Sequence, residues 1–295
     1  MKKITKKILI IAVVIVLALT FVGCDASAFW GYFTGYYPEI PTNYYDDVTI
    51  MQGTAQTQTG GLADVIESIR PTVVDVYSNY IFVGFGTGDI EERLVTGMAV
   101  IMDKTSDGIY LLCASHCVED YGNQKINGMI YKFAGVNTRV VIDDKFYSAE
   151  RLNVDNETAS ALLFVSKESL GDSYDDVKVT KIPETYPPKE GETILAFSNP
   201  YGVNDGTVTK GVLSSSAREI TISSGETYVL LQTDAAICYR TDGIIFDDTG
   251  HVLGIIFVKA VGTGIENLNF AMPLDQIIDG FHQNGYLLDV EIGVK

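Results

Sequence analysis

The sequence predicts an all-β domain, on three observations. Short runs rich in β-branched and aromatic residues recur from residue 72 to residue 273, spaced 8–15 residues apart and separated by turn signals. Helical periodicity is confined to two stretches, one before and one after these runs, which is too little helix for a parallel α/β sheet. About 230 residues follow a polar, glycine-ended segment, enough for one two-lobed β domain with a sizeable core.

The elements follow in order. LADVIESIR, 62–70, places apolar residues three and four apart and is stopped by Pro71, so it reads as a short helix. The strand-like runs are TVVDVYS (72–78), GMAVIM (97–102), GIYLLCA (108–114), GMIYKFA (128–134) and ALLFV (161–165). After a turn-rich interval come TILAFS (193–198), VTKGVLS (208–214), EITIS (219–223), YVLLQT (228–233), HVLGIIFV (251–258) and NLNFAMP (267–273). LDQIIDGFHQNGYL, 274–287, closes the pattern as a C-terminal helix, and no internal repeat at a solenoid period is visible.

The N-terminus carries an address. Lys2, Lys3, Lys6 and Lys7 precede an apolar run, Ile8–Val22, interrupted only by Thr20. That run is short for a bilayer span, which needs about 20 residues, and matches the apolar region of an export signal. Phe21-Val22-Gly23-Cys24 resembles a bacterial lipobox, which implies removal of residues 1–23 and a lipid on Cys24. The other reading is an uncleaved N-terminal membrane helix. Both put the remainder on the extracytoplasmic face of a bacterial membrane.

Residues 24–61 read as a linker. Trp30, Tyr32, Phe33, Tyr36 and Tyr37 suit either a membrane interface or packing on the domain surface. Loss of residues 1–23 removes four lysines and no acids, moving the formal charge from −17 to −21. So acidic a surface repels phosphate backbones, which excludes nucleic acid as an expected partner.

Six blocks carry a resemblance. Arg70-Pro71-Thr72-Val73-Val74, Thr96–Ile101, Asp107–Val118, Asn199-Pro200-Tyr201-Gly202 with Thr207–Ser214, Leu231–Ile255 and Asn269–Asp275 stand in order along the chain. Together they resemble the HtrA/DegP-type trypsin-like serine peptidases over most of residues 62–285. The resemblance implies two six-stranded β-barrels of the chymotrypsin fold, about 65–166 and about 176–274, leaving 286–295 as a tail. It also implies that the family's usual PDZ module is not expected, since only about ten residues follow the closing helix.

The same resemblance assigns the site. His116 takes the place of the catalytic histidine. Gln232-Thr233-Asp234-Ala235-Ala236-Ile237 and Gly243 frame the nucleophile segment, but the nucleophile position is Asp242. Ala159 falls at the position of the orienting aspartate; Asp155, four residues upstream, could serve only in a rebuilt loop. Arg240 replaces the glycine whose N–H points into the oxyanion hole.

A serine triad needs a hydroxyl, a base and an orienting carboxylate, so these replacements imply a catalytically degenerate member. The strand Gly254, Ile255, Ile256, Phe257 and Val258 lies where the resemblance places a peptide-binding edge. The expected function is a surface-tethered pseudopeptidase that binds polypeptides or a protein partner. A divergent active endopeptidase and a structural cell-envelope protein with a vestigial cleft are the alternatives.

His116 itself allows two readings: an inert, hydrogen-bonded core residue, or a partner for the Asp242 carboxylate. Ser115, Ser160, Cys117 and Cys238 are the other groups that could offer a nucleophile. Beyond Cys24 there are three cysteines, Cys113, Cys117 and Cys238, and the resemblance implies that all three approach one cleft. One disulfide from Cys238 to Cys113 or Cys117 is compatible with an oxidising compartment, and so are buried thiols acting as small hydrophobes. A metal site using His116 and Asp242 with a cysteine is the minor alternative, but no ligand-spacing motif supports it, and neither a metal nor a cofactor is expected.

Overall fold

A computed structural model describes residues 61–285 except 184–185, 200–205, 223, 238–241 and 258–267. These residues lie in the second of the two units into which the chain divides, Gln58–Lys295. The export signal, Cys24 and the aromatic linker fall outside the described residues.

The domain opens with α1 (Leu62–Ile69), where the Gly61 N–H donates to Asp64 Oδ2 at 3.2 Å. Pro71 follows in a 3-10 turn, Arg70–Thr72, and the chain turns into sheet. The first sheet contains β1 (Val73–Gly84), β2 (Ile90–Thr105), β3 (Gly108–Ala114), β4 (Gln124–Ile126), β5 (Met129–Ile142), β6 (Lys145–Ser148), β7 (Glu150–Asp155) and β8 (Ser160–Ser166). Its order is β4-β5-β1-β2-β3-β8-β7, with β6 also paired to β5. It therefore has eight strands where the resemblance implied six. The two additional strands are short and both pair with the long β5.

A short helix, α2 (Lys167–Leu170), leads away from the first sheet, capped by the Ser166 hydroxyl. The second sheet is a closed barrel of β9 (Thr193–Ser198), β10 (Thr207–Thr221), β11 (Thr227–Thr233), β12 (Gly243–Asp247), β13 (Val252–Ile256) and β14 (Asn269–Pro273). Its order is β10-β11-β14-β13-β12-β9, so each strand is paired on both sides. The last element is α3 (Leu274–Gln283), which buries Leu274, Ile277, Ile278 and Phe281. That spacing of three and four is the stripe expected of a helix lying on a core.

Most predicted runs are recovered, and the differences have local causes. EITIS is no separate strand; it continues β10 through Thr221. The β1 run extends six residues beyond Ser78, with burial alternating along its length. Alternation is obscured in the sequence because Ser78 occupies an inward position, where its hydroxyl meets Thr138 Oγ1 at 3.0 Å.

Packing joins the two sheets. One cluster combines Val100, Met102, Leu112 and Leu162 of the first sheet with Phe197, Leu231, Ile245 and Phe246 of the barrel. Ile69 of α1 and Phe281 of α3 complete it. Each such fully buried side chain contributes about 1.5–3 kcal/mol. A second cluster, including Val76, Ile101, Leu111 and Leu163, fills the first sheet. Between the sheets the Asn199 amide donates to Asp75 Oδ1 at 2.7 Å.

Candidate functional site

His116 is delivered by a tight turn at the end of β3. Ser115–Cys117 forms a 3-10 turn, with Val118 N and Glu119 N both donating to Ser115 O at 2.9 and 2.8 Å. The Ser115 N–H donates to Ala159 O at 2.9 Å, anchoring the turn to the loop before β8. Tyr121 and Tyr80 hydroxyls reach the His116 carbonyl at 2.7 and 3.3 Å. The histidine backbone is thus held from three directions, while its side chain stays 33 % exposed.

Asp242 arrives from the other sheet, immediately before β12. Its carboxyl is buried, and Oδ2 lies 3.9 Å from His116 Nε2, an ion pair when the imidazole carries its proton. The same oxygen accepts the Met98 N–H at 3.1 Å and the Cys117 thiol at 3.3 Å. Cys117 Sγ is also 3.8 Å from His116 Nε2. His116, Cys117 and Asp242 therefore meet, and their donor atoms lie within 4.8 Å of one another. Of the two readings of His116, the geometry matches the one that pairs it with Asp242.

Room for this cluster depends on two glycines. A Cβ on Gly97 would collide with both Asp242 Oδ2 and Cys117 Sγ. A Cβ on Gly243, the residue after Asp242, would strike the Phe197 carbonyl of the paired strand β9. Glycine at both positions lets the strands close over the carboxyl.

The electrostatics are those of a dry site. Burial pushes the Asp242 carboxyl above the usual carboxylate range, against the opposing pulls of His116, the Met98 N–H and the Cys117 thiol. The Cys117 thiol is pushed well up by its hydrogen bond with Cys113, by burial and by the Asp242 charge. A nucleophilic cysteine needs the opposite environment. Cys113 and Cys117 are both buried free thiols; Cys238 lies outside the described residues.

The other hydroxyls are occupied. Ser115 Oγ donates to Glu119 Oε2 at 3.3 Å, and Ser160 Oγ meets Thr158 Oγ1 at 2.7 Å. Both serines are buried. Neither is hydrogen-bonded to His116, the base each would need.

Ala159 sits beside the histidine turn, joined to it through the Ser115 hydrogen bond, and offers a methyl group there. Its φ of 52° is in the left-handed region, unusual for alanine. Asp155 does not substitute for an acid at this place. Its carboxylate accepts the Glu157 N–H at 2.9 Å and the Thr158 hydroxyl at 2.9 Å, and it lies under Gly280 of α3. It closes its own turn and supports the helix.

The expected peptide-binding edge needs correction. Gly254 and Ile255 pair with β12 on one side and β14 on the other, because the barrel is closed. Ile256 pairs with Ala271, and Phe257 N donates to Phe270 O at 2.8 Å. All four residues are buried, so no open edge exists along 254–255. Val258, like Arg240, lies outside the described residues.

The QTDAA segment turns out to hold structure. Asp234 Oδ1 accepts Val212 N at 2.7 Å, Thr233 Oγ1 donates to Val212 O at 2.8 Å, and Asn269 Nδ2 donates to Ala235 O at 2.8 Å. Cys117 reaches the cleft, as its place beside His116 implies, but its contact with Asp242 spans 125 positions and lies beyond any local spacing rule.

Comparison with known proteins agrees with this architecture. Residues 96–255, just over half of the chain, match the family model described as Trypsin-like peptidase domain. The chain is 29 % identical over 252 residues to Serine protease Do-like HtrB of Bacillus subtilis (strain 168), covering 81 % of the chain and 51 % of that protein. It is 27 % identical over 213 residues to Serine protease Do-like HtrA of Lactobacillus helveticus, covering 69 % and 47 %. With Serine protease HtrA-like of Staphylococcus aureus (strain USA300) it shares 28 % over 210 residues, covering 68 % and 25 %. The chain thus spans about half, or less, of the length of these relatives. Two β-sheets, a histidine from the first facing the nucleophile segment of the second, and these matches make the chain a member of the HtrA-type trypsin-like peptidase family.

Proposed function

We propose that this chain is a non-catalytic member of its family, held outside the cytoplasm by a lipid on Cys24, that binds polypeptide or a protein partner. The observation that carries the reading is the Asp242 carboxylate 3.9 Å from His116, where the family presents a hydroxyl. A carboxylate there forms no acyl-enzyme with a peptide. It also sets negative charge where an oxyanion would develop, a place whose donors ordinarily contribute about 3–4 kcal/mol. Ala159 supplies no orienting carboxylate, and Arg240 stands at the position of the hole glycine. Losses within a triad reach about six orders of magnitude and are not additive.

Binding is supported by a different part of the molecule. Beyond the small cluster of Tyr80, Phe82 and Tyr131, the ends of β1, β2 and β5 expose Phe85, Ile90, Leu94 and Ile130. Phe85 N donates to Ile130 O at 2.8 Å and Ile90 pairs with Val83, so the exposed side chains cluster at one end of the sheet, and contiguous apolar surface marks interaction sites. The closed edge at 254–255 has no part in the proposal. A second reading, an active endopeptidase, is favoured by the relatives named above, each a serine protease.

Cleavage and binding assays on the full chain separate the two. The expected result is no casein cleavage by the unaltered chain, none by Asp242→Ser because Ala159 and Arg240 remain, and saturable binding of unfolded polypeptide. Casein cleavage that disappears in His116→Ala would establish the endopeptidase. Absence of both cleavage and binding would leave a structural role.

A further inference from the structure

We propose that His116, Cys117 and Asp242 form a binding site for a zinc-class divalent cation. Three donor atoms of three kinds converge: imidazole Nε2, thiol Sγ and carboxylate Oδ2. They are separated by 3.3 Å (sulfur to oxygen), 3.8 Å (sulfur to nitrogen) and 3.9 Å (nitrogen to oxygen). Ligands about 2.0–2.3 Å from a tetrahedral zinc stand about 3.3–3.6 Å from one another. The two edges that end on sulfur are therefore within about 0.3 Å of coordinating ones, and the nitrogen–oxygen edge is about half an ångström longer than one. The two longer edges of the triangle both end on His116, whose side chain is 33 % exposed, so a small ring movement closes them.

The donor set selects the ion. Calcium and magnesium take oxygen ligands, and a purely soft ion prefers sulfur throughout, whereas mixed nitrogen, sulfur and oxygen suits zinc. The surroundings hold the ligands in place. The Met98 N–H hydrogen-bonds the carboxylate oxygen, as an outer-shell partner does in metal sites. Gly97 leaves the space that any Cβ would take from Oδ2 and Sγ. Coordination converts the Cys117 thiol to a thiolate, its proton passing to solvent. Three protein ligands leave a fourth position for water on the exposed side of His116. The inference is independent of whether the domain binds polypeptide.

The test uses the full chain, freed of metal with a chelator and titrated with Co2+. A thiolate-to-cobalt charge-transfer band should appear in the near ultraviolet and vanish when Zn2+ is added. Cys117→Ser should remove the band and Cys113→Ser should keep it, with circular dichroism checking that each variant is folded. In competition with a chromophoric chelator, His116→Ala and Asp242→Asn should each weaken Zn2+ binding by about tenfold or more. His116, being partly exposed, keeps the test decisive if the Cys117 variant does not fold. No band in the unaltered chain, a band that survives Cys117→Ser, or Zn2+ affinity unchanged in both other variants would overturn the proposal.

Discussion

Asp242 and Asp247 stand at the two ends of β12, and each faces a histidine. Asp242 lies 3.9 Å from His116 and is buried; Asp247 lies 3.0 Å from His251 and is partly exposed. Their carboxyls move in opposite directions. At Asp242 burial wins and the carboxyl is raised. At Asp247 burial also pushes upward, but hydrogen bonds from the His251 and Thr249 backbones and side chains outweigh it, and the carboxyl is lowered. Asp247 Oδ1 accepts Thr249 N at 2.9 Å, the Thr249 hydroxyl at 2.7 Å and His251 N at 2.9 Å. A neighbouring histidine does not decide how a carboxylate titrates; the number of donors left after desolvation does. Asp247 terminates a hairpin in the ordinary way, whereas Asp242 is a charge placed where the fold gives it little water and few N–H groups.

The largest expected effect comes from removing the space around Asp242. Gly97→Ala introduces a methyl into the position of Oδ2 and Sγ, both on short buried side chains that cannot swing aside. Overpacking of this kind costs about 1–3 kcal/mol, and two simultaneous collisions put Gly97→Ala at the upper end. Urea unfolding should show the midpoint fall. Among the described residues no glycine supports Asp247 in this way; the nearest in sequence, Gly250, has a φ of 89° and serves the turn. A Gly97→Ala domain as stable as the original would mean that the cluster around Asp242 is loosely packed, and the contrast between the two ends of β12 would weaken.

This contrast was only half legible in the sequence. The pairing of His116 with Asp242 joins strands of different sheets, and it could be foreseen because the flanking blocks, ASHCV and QTDAA, resemble a family whose histidine and nucleophile meet. The fold was legible for the same reason, together with the regular spacing of the strand runs. The cleft position of Cys117 was legible too, but its bond to Asp242 was not, because a thiol directed at a carboxylate leaves no local pattern. Nor was the closure of β13 on both sides, since buried edge strands and buried interior strands have the same apolar run, here VLGII. Ser78 and Thr138 hid the length of β1, because two inward hydroxyls that satisfy each other look like a polar break. Asp247, Thr249 and His251 lie within five residues, yet their hydrogen bonds emerge only once the turn is built.

Acid titration of stability should separate the two aspartates in chelator-treated protein. For Asp242 the folded value lies above the unfolded value of about 3.9, so the native state holds the proton more tightly. Its contribution is complete below pH ~3.9 and declines as pH rises through the folded value. For Asp247 the folded value lies below the unfolded one, so its contribution is present above pH ~3.9 and is lost as pH falls through the folded value. Asp242→Asn should therefore flatten a downward slope above pH ~3.9, and Asp247→Asn an upward slope below it. One titrating group changes stability by at most about 1.4 kcal/mol per pH unit. Urea unfolding of both variants across the acid range measures both slopes. Slopes of the same sign would show that desolvation does not dominate at Asp242.

The smallest effect tests whether the histidine at the exposed end matters at all. His251 Nδ1 meets Asp247 Oδ2 at 3.0 Å and the Thr249 hydroxyl at 2.7 Å, but its side chain is 30 % exposed. Exposed ion pairs contribute about 0–1 kcal/mol. The backbone N–H of residue 251, which Asp247 also binds, survives substitution. His251→Ala should thus cost less than about 1 kcal/mol in thermal or urea unfolding. The difference should shrink further in about 1 M salt, where charges are screened within a few ångströms. A larger, salt-insensitive loss would place the stability of the hairpin in the imidazole rather than in the backbone N–H groups. The short distance at Asp247 would then outrank its hydrogen-bond count, reversing the order of causes drawn from the two ends of β12.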